Sequence, residues 1–243
     1  MKKRNNPIVR IIRSLMIRLY HDNFSLTNFI IENKKKLVYI VVPKTGCSSI
    51  KESFADSLDS VGEDRTHKQV SRKLNRPFLT RKQKKDFFKF TFVRNPFDRI
   101  ASCYIHKIEK SKIALRRNYY GFATIEKDET FESFVKKIAK IPDFFSDQHF
   151  QSQQDILFLR RKPLYDYLGH YENLAGDFKR IQESFDLLSL PHIHDTQKGD
   201  WRCFYTKELA GIVYKRYKKD FEMLGYEGEY KKLMAYLEKK KPS

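Results

Sequence analysis

Two short segments limit what this chain can fold into. The first begins with Leu37-Val38-Tyr39-Ile40-Val41-Val42, an unbroken apolar run rich in β-branched residues. Such a run predicts a strand buried on both faces, as in a parallel sheet. It passes directly into Pro43-Lys44-Thr45-Gly46-Cys47-Ser48-Ser49, and Ser48 to Leu58 then reads as a helix with Ile50, Phe54 and Leu58 on one face. The second segment repeats the plan. Lys89 to Val93 reads as a strand, Arg94-Asn95-Pro96 as a loop, and Phe97 to Glu109 as a helix. Two strand–loop–helix units with a helical crossover imply a right-handed parallel arrangement, hence an α/β fold. Further along, Tyr165 to Gly169 predicts a strand. Phe131 to Ala139, Leu174 to Leu187 and Thr206 to Met223 predict helices, and the polar stretch Arg116 to Thr130 a loop or insert. No internal repeat or linker marks a boundary, so a single domain is expected from 243 residues.

The loop between the first strand and helix carries the first chemistry. Lys44 offers an ammonium, and Thr45, Cys47, Ser48 and Ser49 offer backbone N–H groups. Thr45, Ser48 and Ser49 add hydroxyls, and Gly46 permits close backbone approach. Together they form a cradle for a phosphate-like anion at a helix N-terminus. A lone loop of this type is not specific, but no Gly-x-x-x-x-Gly-Lys-Ser/Thr occurs, which weakens a P-loop nucleotide reading. In the second unit Arg94 stands at a strand end, where it can hold a phosphate through two N–H groups, and Ser102 follows eight residues on. The competing reading pairs Arg94 with Asp98. Arg99 fits a helix-surface salt bridge equally well. Two separate phosphate grips suggest a cofactor phosphorylated at two places.

Both motifs resemble those of sulfotransferases. Pro43 to Ser49 resembles their 5′-phosphosulfate loop, and Val93-Arg94-Asn95-Pro96-Phe97-Asp98-Arg99 with Ser102 resembles their 3′-phosphate motif. The resemblance is greatest to the carbohydrate branch that includes chondroitin 4-O-sulfotransferases. Three further patches are similar to that branch. Asp147-Gln148-His149-Phe150-Gln151-Ser152-Gln153 resembles its acidic-His-Trp motif with Phe150 in place of Trp. Gly169-His170-Tyr171-Glu172-Asn173-Leu174 resembles its Gly-x-Tyr-Glu-x-Leu segment. Tyr217 to Tyr226 resembles its C-terminal signature. The matches keep the family's order from about Lys36 to Tyr226.

The resemblance implies a P-loop-like parallel sheet flanked by helices. It also implies the donor 3′-phosphoadenosine 5′-phosphosulfate (PAPS), the product 3′-phosphoadenosine 5′-phosphate (PAP), and a carbohydrate acceptor. Negative charge then grows on the bridging phosphate oxygen as the S–O bond breaks, and a cation fixed there stabilises the transition state more than the ground state. Lys44 is the residue placed for that role. The acceptor hydroxyl needs a base, and histidine suits neutral pH. Among seven histidines, His67 falls in the interval where related 2-O-sulfotransferases carry their base, and His149 in the acidic-His motif is its rival. Thr196-Gln197-Lys198-Gly199-Asp200-Trp201-Arg202 resembles the family's late loop over the cofactor, where Lys198 and Arg202 reach phosphates and Trp201 stacks or anchors. No metal set is expected; His192, His194 and Asp195 follow Pro191 in a loop-like stretch.

Composition sets the remaining expectations. With 40% hydrophobic residues a sizeable core is possible, and a mean hydropathy of −0.65 speaks for a soluble protein. The formal charge of +19 predicts attraction to polyanions, and an acidic glycan acceptor satisfies it. Local clusters stand at Lys34-Lys35-Lys36, Arg81-Lys82-Gln83-Lys84-Lys85 and Lys239-Lys240-Lys241. A non-enzymatic polyanion-binding module and a P-loop kinase are the rival readings, and no nucleic-acid recognition motif is visible. Cys47, Cys103 and Cys203 make neither a disulfide framework nor a zinc spacing and fit a reducing cytosol. No stretch reaches the ~20 apolar residues of a membrane span, unlike the anchored Golgi enzymes that the resemblance points to, so a bacterial cytoplasmic enzyme is expected, with a catalytic fragment of an anchored protein as the alternative. Within Met1 to Tyr20, arginines on one helical stripe oppose isoleucines and leucines. This predicts an amphipathic helix, docked on its own domain or lying on the inner face of a membrane. The expected division is a basic N-terminal segment 1–34, a catalytic domain 35–230 and a basic tail 231–243.

Overall fold

The structure, a computed structural model, describes residues 28–55, 67–109, 116–191 and 199–239. Met1 to Tyr20, Leu58, His192, His194, Asp195, Lys198, Lys240 and Lys241 lie outside the described residues. Strand β1 (Asn28–Glu32) turns into β2 (Leu37–Val41), which leads to helix α1 (Cys47–Glu52). Helix α2 (His67–Leu74), the short strand β3 (Asn75–Arg76) and α3 (Arg81–Asp86) precede β4 (Phe88–Val93). Helix α4 (Pro96–Tyr104) continues as a π-helical turn, and a hairpin of β5 (Arg116–Asn118) and β6 (Thr124–Glu126) leads to α5 (Phe131–Ile138). There follow α6 (Gln153–Leu157), the pair β7 (Phe158–Leu159) and β8 (Lys162–Pro163), β9 (Tyr167–His170) and α7 (Leu174–Phe185). The chain closes with α8 (Lys207–Arg216), α9 (Lys218–Met223) and α10 (Glu229–Lys239). The described residues form two compact units, one from those within 28–93 and 155–191, the other from those within 94–154 and 199–239.

The first unit holds a five-stranded sheet in the order β3-β1-β2-β4-β9. Strand β4 runs parallel to both β2 and β9, as expected, and all five residues of β2 are buried. The α/β class is borne out, but the sheet is mixed, because β1 pairs antiparallel with β2 and β3. The turn between β1 and β2 is too short for the crossover that a parallel pair needs, and Lys36 closes it at φ 48°. Residues 28–32, assigned by composition to the N-terminal segment, therefore belong to the sheet. Tyr39 stacks on Phe90 at 5.1 Å, and Leu174, Phe178 and Ile181 of α7 are buried in the same core. Helix α1 stops at Glu52 rather than Leu58. The hydroxyl of Ser53 donates to the Ile50 carbonyl at 2.7 Å, and the Ser53 carbonyl accepts from Leu188 N–H, outside the helix.

The second unit is built around Phe97. Trp201, Tyr205, Phe221 and Tyr230 surround its ring, with Phe221 centred 4.9 Å away. Three expectations change here. Arg116 to Thr130 contains the β5–β6 hairpin, whose strands of three residues are too short to register as a pattern. Its turn places Tyr120 and Gly121 at φ 54° and 83°, the conformation that tight hairpins require. Thr206 to Met223 is two helices, broken at Tyr217, whose buried hydroxyl donates to the Phe150 carbonyl at 2.6 Å. Part of the expected basic tail belongs to α10, which buries Leu233 and packs on α8.

Candidate active site

The loop after β2 is shaped by two left-handed residues, Lys44 at φ 76° and Gly46 at φ 78°. For a lysine that backbone costs about 1–3 kcal/mol and persists only where its surroundings enforce it. They do so here from below. Thr45 is fully buried, and its hydroxyl donates to the Val42 carbonyl at 2.8 Å. That hydroxyl is turned into the protein, so the expected Thr45 contribution to an anion reduces to its backbone. Gly46 serves packing as well as geometry. A Cβ on it would lie 2.6 Å from Leu174 Cδ2 and 3.5 Å from Tyr171, both from the segment Gly169 to Leu174. Gly169 of the same segment is tighter still, since a Cβ there would meet the Phe92 ring at 2.3 Å. Ser48 is exposed, with Lys44, Cys47 and Ser49 half-buried. Among the described residues no side chain caps α1 and no acidic residue stands in its first turn, a start whose backbone N–H groups favour negative charge.

In the second unit Arg94 is 3% exposed and paired with Asp98. Nε meets Oδ2 and Nη2 meets Oδ1, each at 2.7 Å. The pairing with Asp98 that the sequence offered is thus present. The main chain of Arg94 is held too. Its N–H donates to Gln153 Oε1 at 3.0 Å, and its carbonyl accepts from Gln153 Nε2 at 2.8 Å. Gln153 and Gln154 in turn donate their backbone N–H groups to the two carboxylate oxygens of Asp220, both at 2.8 Å. Burial pushes the Asp220 carboxyl up to about 6, against the pull of these bonds and of Arg99. Arg99, fully buried, donates to the carbonyls of Gln151 and Gln148 rather than forming a surface pair. Asn95 caps α4 by accepting from Phe97 N–H and donates to Glu229 of α10 at 2.7 Å. Ser102 is buried on α4.

His149 Nδ1 lies 2.6 Å from Asp147 Oδ1. In the tautomer that donates from Nδ1 to this carboxylate, Nε2 carries the lone pair. Tyr119, Phe134 and Phe150 share a small cavity with His149 and Asp147. His67 opens α2, but its side chain lies outside the described residues. Arg202 is bound to Asp200 at 2.7 Å and lies over the Tyr236 ring, and Trp201 packs flat against Phe97. Trp201 is therefore an anchor. Cys47, Cys103 and Cys203 form no disulfide among the described residues. Among the described residues no cluster could hold a metal ion, and no helix is long and apolar enough to cross a membrane.

Each unit thus groups part of the predicted set: Lys44 to Ser49 in the first, and Arg94, Ser102, His149 and Arg202 in the second. Asp98 is the partner that the sequence offered for Arg94, whereas the supports Gln153, Asp220 and Glu229 were not singled out there. Gln153 and Asp220 stand inside family-like patches, and Glu229 gave no signal.

Residues 27–227 match the model described as "Sulfotransferase family". Carbohydrate sulfotransferase 14 of Homo sapiens is 24% identical over 235 residues, covering 83% of this chain and 60% of that protein. Carbohydrate sulfotransferase 12 of Mus musculus is 23% identical, covering 84% and 61%, and carbohydrate sulfotransferase 9 of Homo sapiens 24%, covering 86% and 54%. The chain thus spans little more than half the length of these curated relatives. No solved structure matches it.

Proposed function

The chain belongs to the sulfotransferase family, and we propose that it moves a sulfuryl group from PAPS to a hydroxyl of a carbohydrate, an acidic glycan in particular. The relatives' names support the acceptor class. The observation that carries the reading is Lys44: a half-buried lysine held at φ 76° in the loop after β2, beside a helix start without acidic residues.

The donor supplies, when bound, a sulfuryl group activated on a phosphate oxygen. Its fit is supported by the chemistry of the residues present: a cation with backbone donors in one loop, and a buried arginine with a hydroxyl in the other. Lys44 and the N–H groups of Thr45 to Ser49 would hold the 5′ end. Arg94 and Ser102 would hold the 3′-phosphate, with Lys198 and Arg202 as outer contacts. Lys44 keeps its ammonium where negative charge develops on the leaving oxygen. A histidine takes the proton of the acceptor hydroxyl. His67 and His149 compete for that role, and the Asp147 contact favours His149, because it fixes the tautomer with Nε2 ready to accept. The charge of +19 would concentrate an anionic acceptor, an advantage that salt screens.

Labelled PAPS incubated with a panel of desulfated polysaccharides tests the reading. Label should pass to at least one polysaccharide, and Lys44→Ala should abolish the transfer. Tight polysaccharide binding with no transfer to any acceptor would leave a non-enzymatic polyanion binder instead.

A further inference from the structure

Gln153 is fully buried and spends both ends of its side-chain amide on the main chain of one residue, Arg94. A side chain that accepts from N–H and donates to C=O of the same residue fixes the two peptide planes on either side of its Cα. It behaves as a one-residue strand pair. Gln153 is itself held, because Asp220, also fully buried, takes the N–H groups of Gln153 and Gln154 on its two oxygens. From the other side Arg99 holds the carbonyls of Gln148 and Gln151. The segment 148–154 is thus tied at both ends and ends in a clamp on Arg94.

Burying this many polar groups is costly compared with an apolar core of the same shape. Packing alone does not explain it. What the network delivers is a fixed position for the Cα of Arg94, while Asp98 fixes the far end of the side chain. The guanidinium is then aimed from both ends before any ligand arrives, which removes an ordering cost from binding.

Given Arg94 as the 3′-phosphate grip inferred above, we propose that Gln153 and Asp220 are positioning residues that set the strength and selectivity of that grip. They touch no ligand; they act through the main chain of Arg94.

The test compares the affinities of PAP and AMP by calorimetry for the full chain and for Gln153→Met, Asp220→Asn and Arg94→Ala, with a thermal melt of each. The two nucleotides differ only in the 3′-phosphate. Gln153→Met keeps the bulk and removes both bonds. It should weaken PAP by roughly tenfold, the scale of one charge-assisted contact, and leave AMP unchanged within about twofold. The PAP/AMP ratio should fall toward that of Arg94→Ala. A merely structural role would lower the melting temperature and weaken both nucleotides alike, and that result overturns the proposal. A folded Gln153→Met with the parent ratio, beside an Arg94→Ala that has lost it, overturns the proposal while the reading of Arg94 stands. An unchanged ratio in Arg94→Ala overturns that reading and the proposal together. If Gln153→Met does not fold, Asp220→Asn decides by the same ratio.

Discussion

Arg94 and Asp98 form a two-point ion pair across one helical turn, with both contacts at 2.7 Å and the arginine almost wholly buried. Removing one partner of such a pair strands the other charge. Asp98→Ala should therefore lose about 3–5 kcal/mol of stability, the scale for breaking a buried pair. A bound 3′-phosphate would restore the missing negative charge, so PAP should raise the melting temperature further in Asp98→Ala than in the parent. Thermal melts with and without PAP check both statements; equal ligand shifts would mean that the phosphate does not meet Arg94.

Gly46→Ala should destabilise the first unit, since the new Cβ must share space with Leu174 and the backbone stays at φ 78°. About 1–3 kcal/mol is expected from strain and overpacking. Adding Leu174→Ala should cost less than the sum of the two single changes, because it opens the space that the Cβ needs. Denaturant melts of the four proteins measure the difference. Strict additivity would show that backbone strain alone decides.

Asp220 makes stability depend on pH. Its folded carboxyl lies near 6, above the ordinary 3.8, with Arg99 and Asp143 as charged neighbours. The folded state therefore holds this proton more tightly than the unfolded state. That contribution is fully present below about pH 3.8 and is lost as pH rises through about 6. Relative to Asp220→Asn, which does not titrate, the parent should lose about 3 kcal/mol between these limits. Chemical denaturation of both proteins from pH 4 to 8 gives the difference. A gap that does not change with pH would show that Asp220 titrates at its ordinary value.

Lys44→Ala should lower kcat by at least roughly a hundredfold, as the loss of one preorganised charge contact does. PAP binding should weaken far less, because the remaining loop donors and Arg94 stay in place. Single-turnover rates and calorimetry separate the two effects. A loss confined to affinity would make Lys44 a binding residue only.

His149→Ala should lower turnover by about 10²–10⁴-fold, the range for a lost general base, with PAP affinity intact. Asp147→Asn should lower it less, because the imidazole remains and only its orientation suffers. If His67→Ala abolishes turnover while His149→Ala does not, the base is His67.

The sequence by itself determined the parallel strands β2 and β4, the polar loops that follow them and the helix after each. Those follow from local patterns: an apolar run long enough to be buried, a loop with fixed residue types, and apolar residues at helical spacing. It also placed Gln153 and Asp220 inside recognisable patches without showing what they do. Tertiary structure alone decided the rest. Residues 28–32 became a sheet strand because β2 offered an edge, and the helical stretch 206–223 broke at Tyr217, where φ is −110° and ψ 24°. Thr45 turned its hydroxyl inward, and Gly46 proved to be a packing glycine against Leu174. Arg94 was read from its position at a strand end. Its clamp came from residues 59 and more positions away in the chain, and no local pattern encodes a hydrogen bond between residues so far apart.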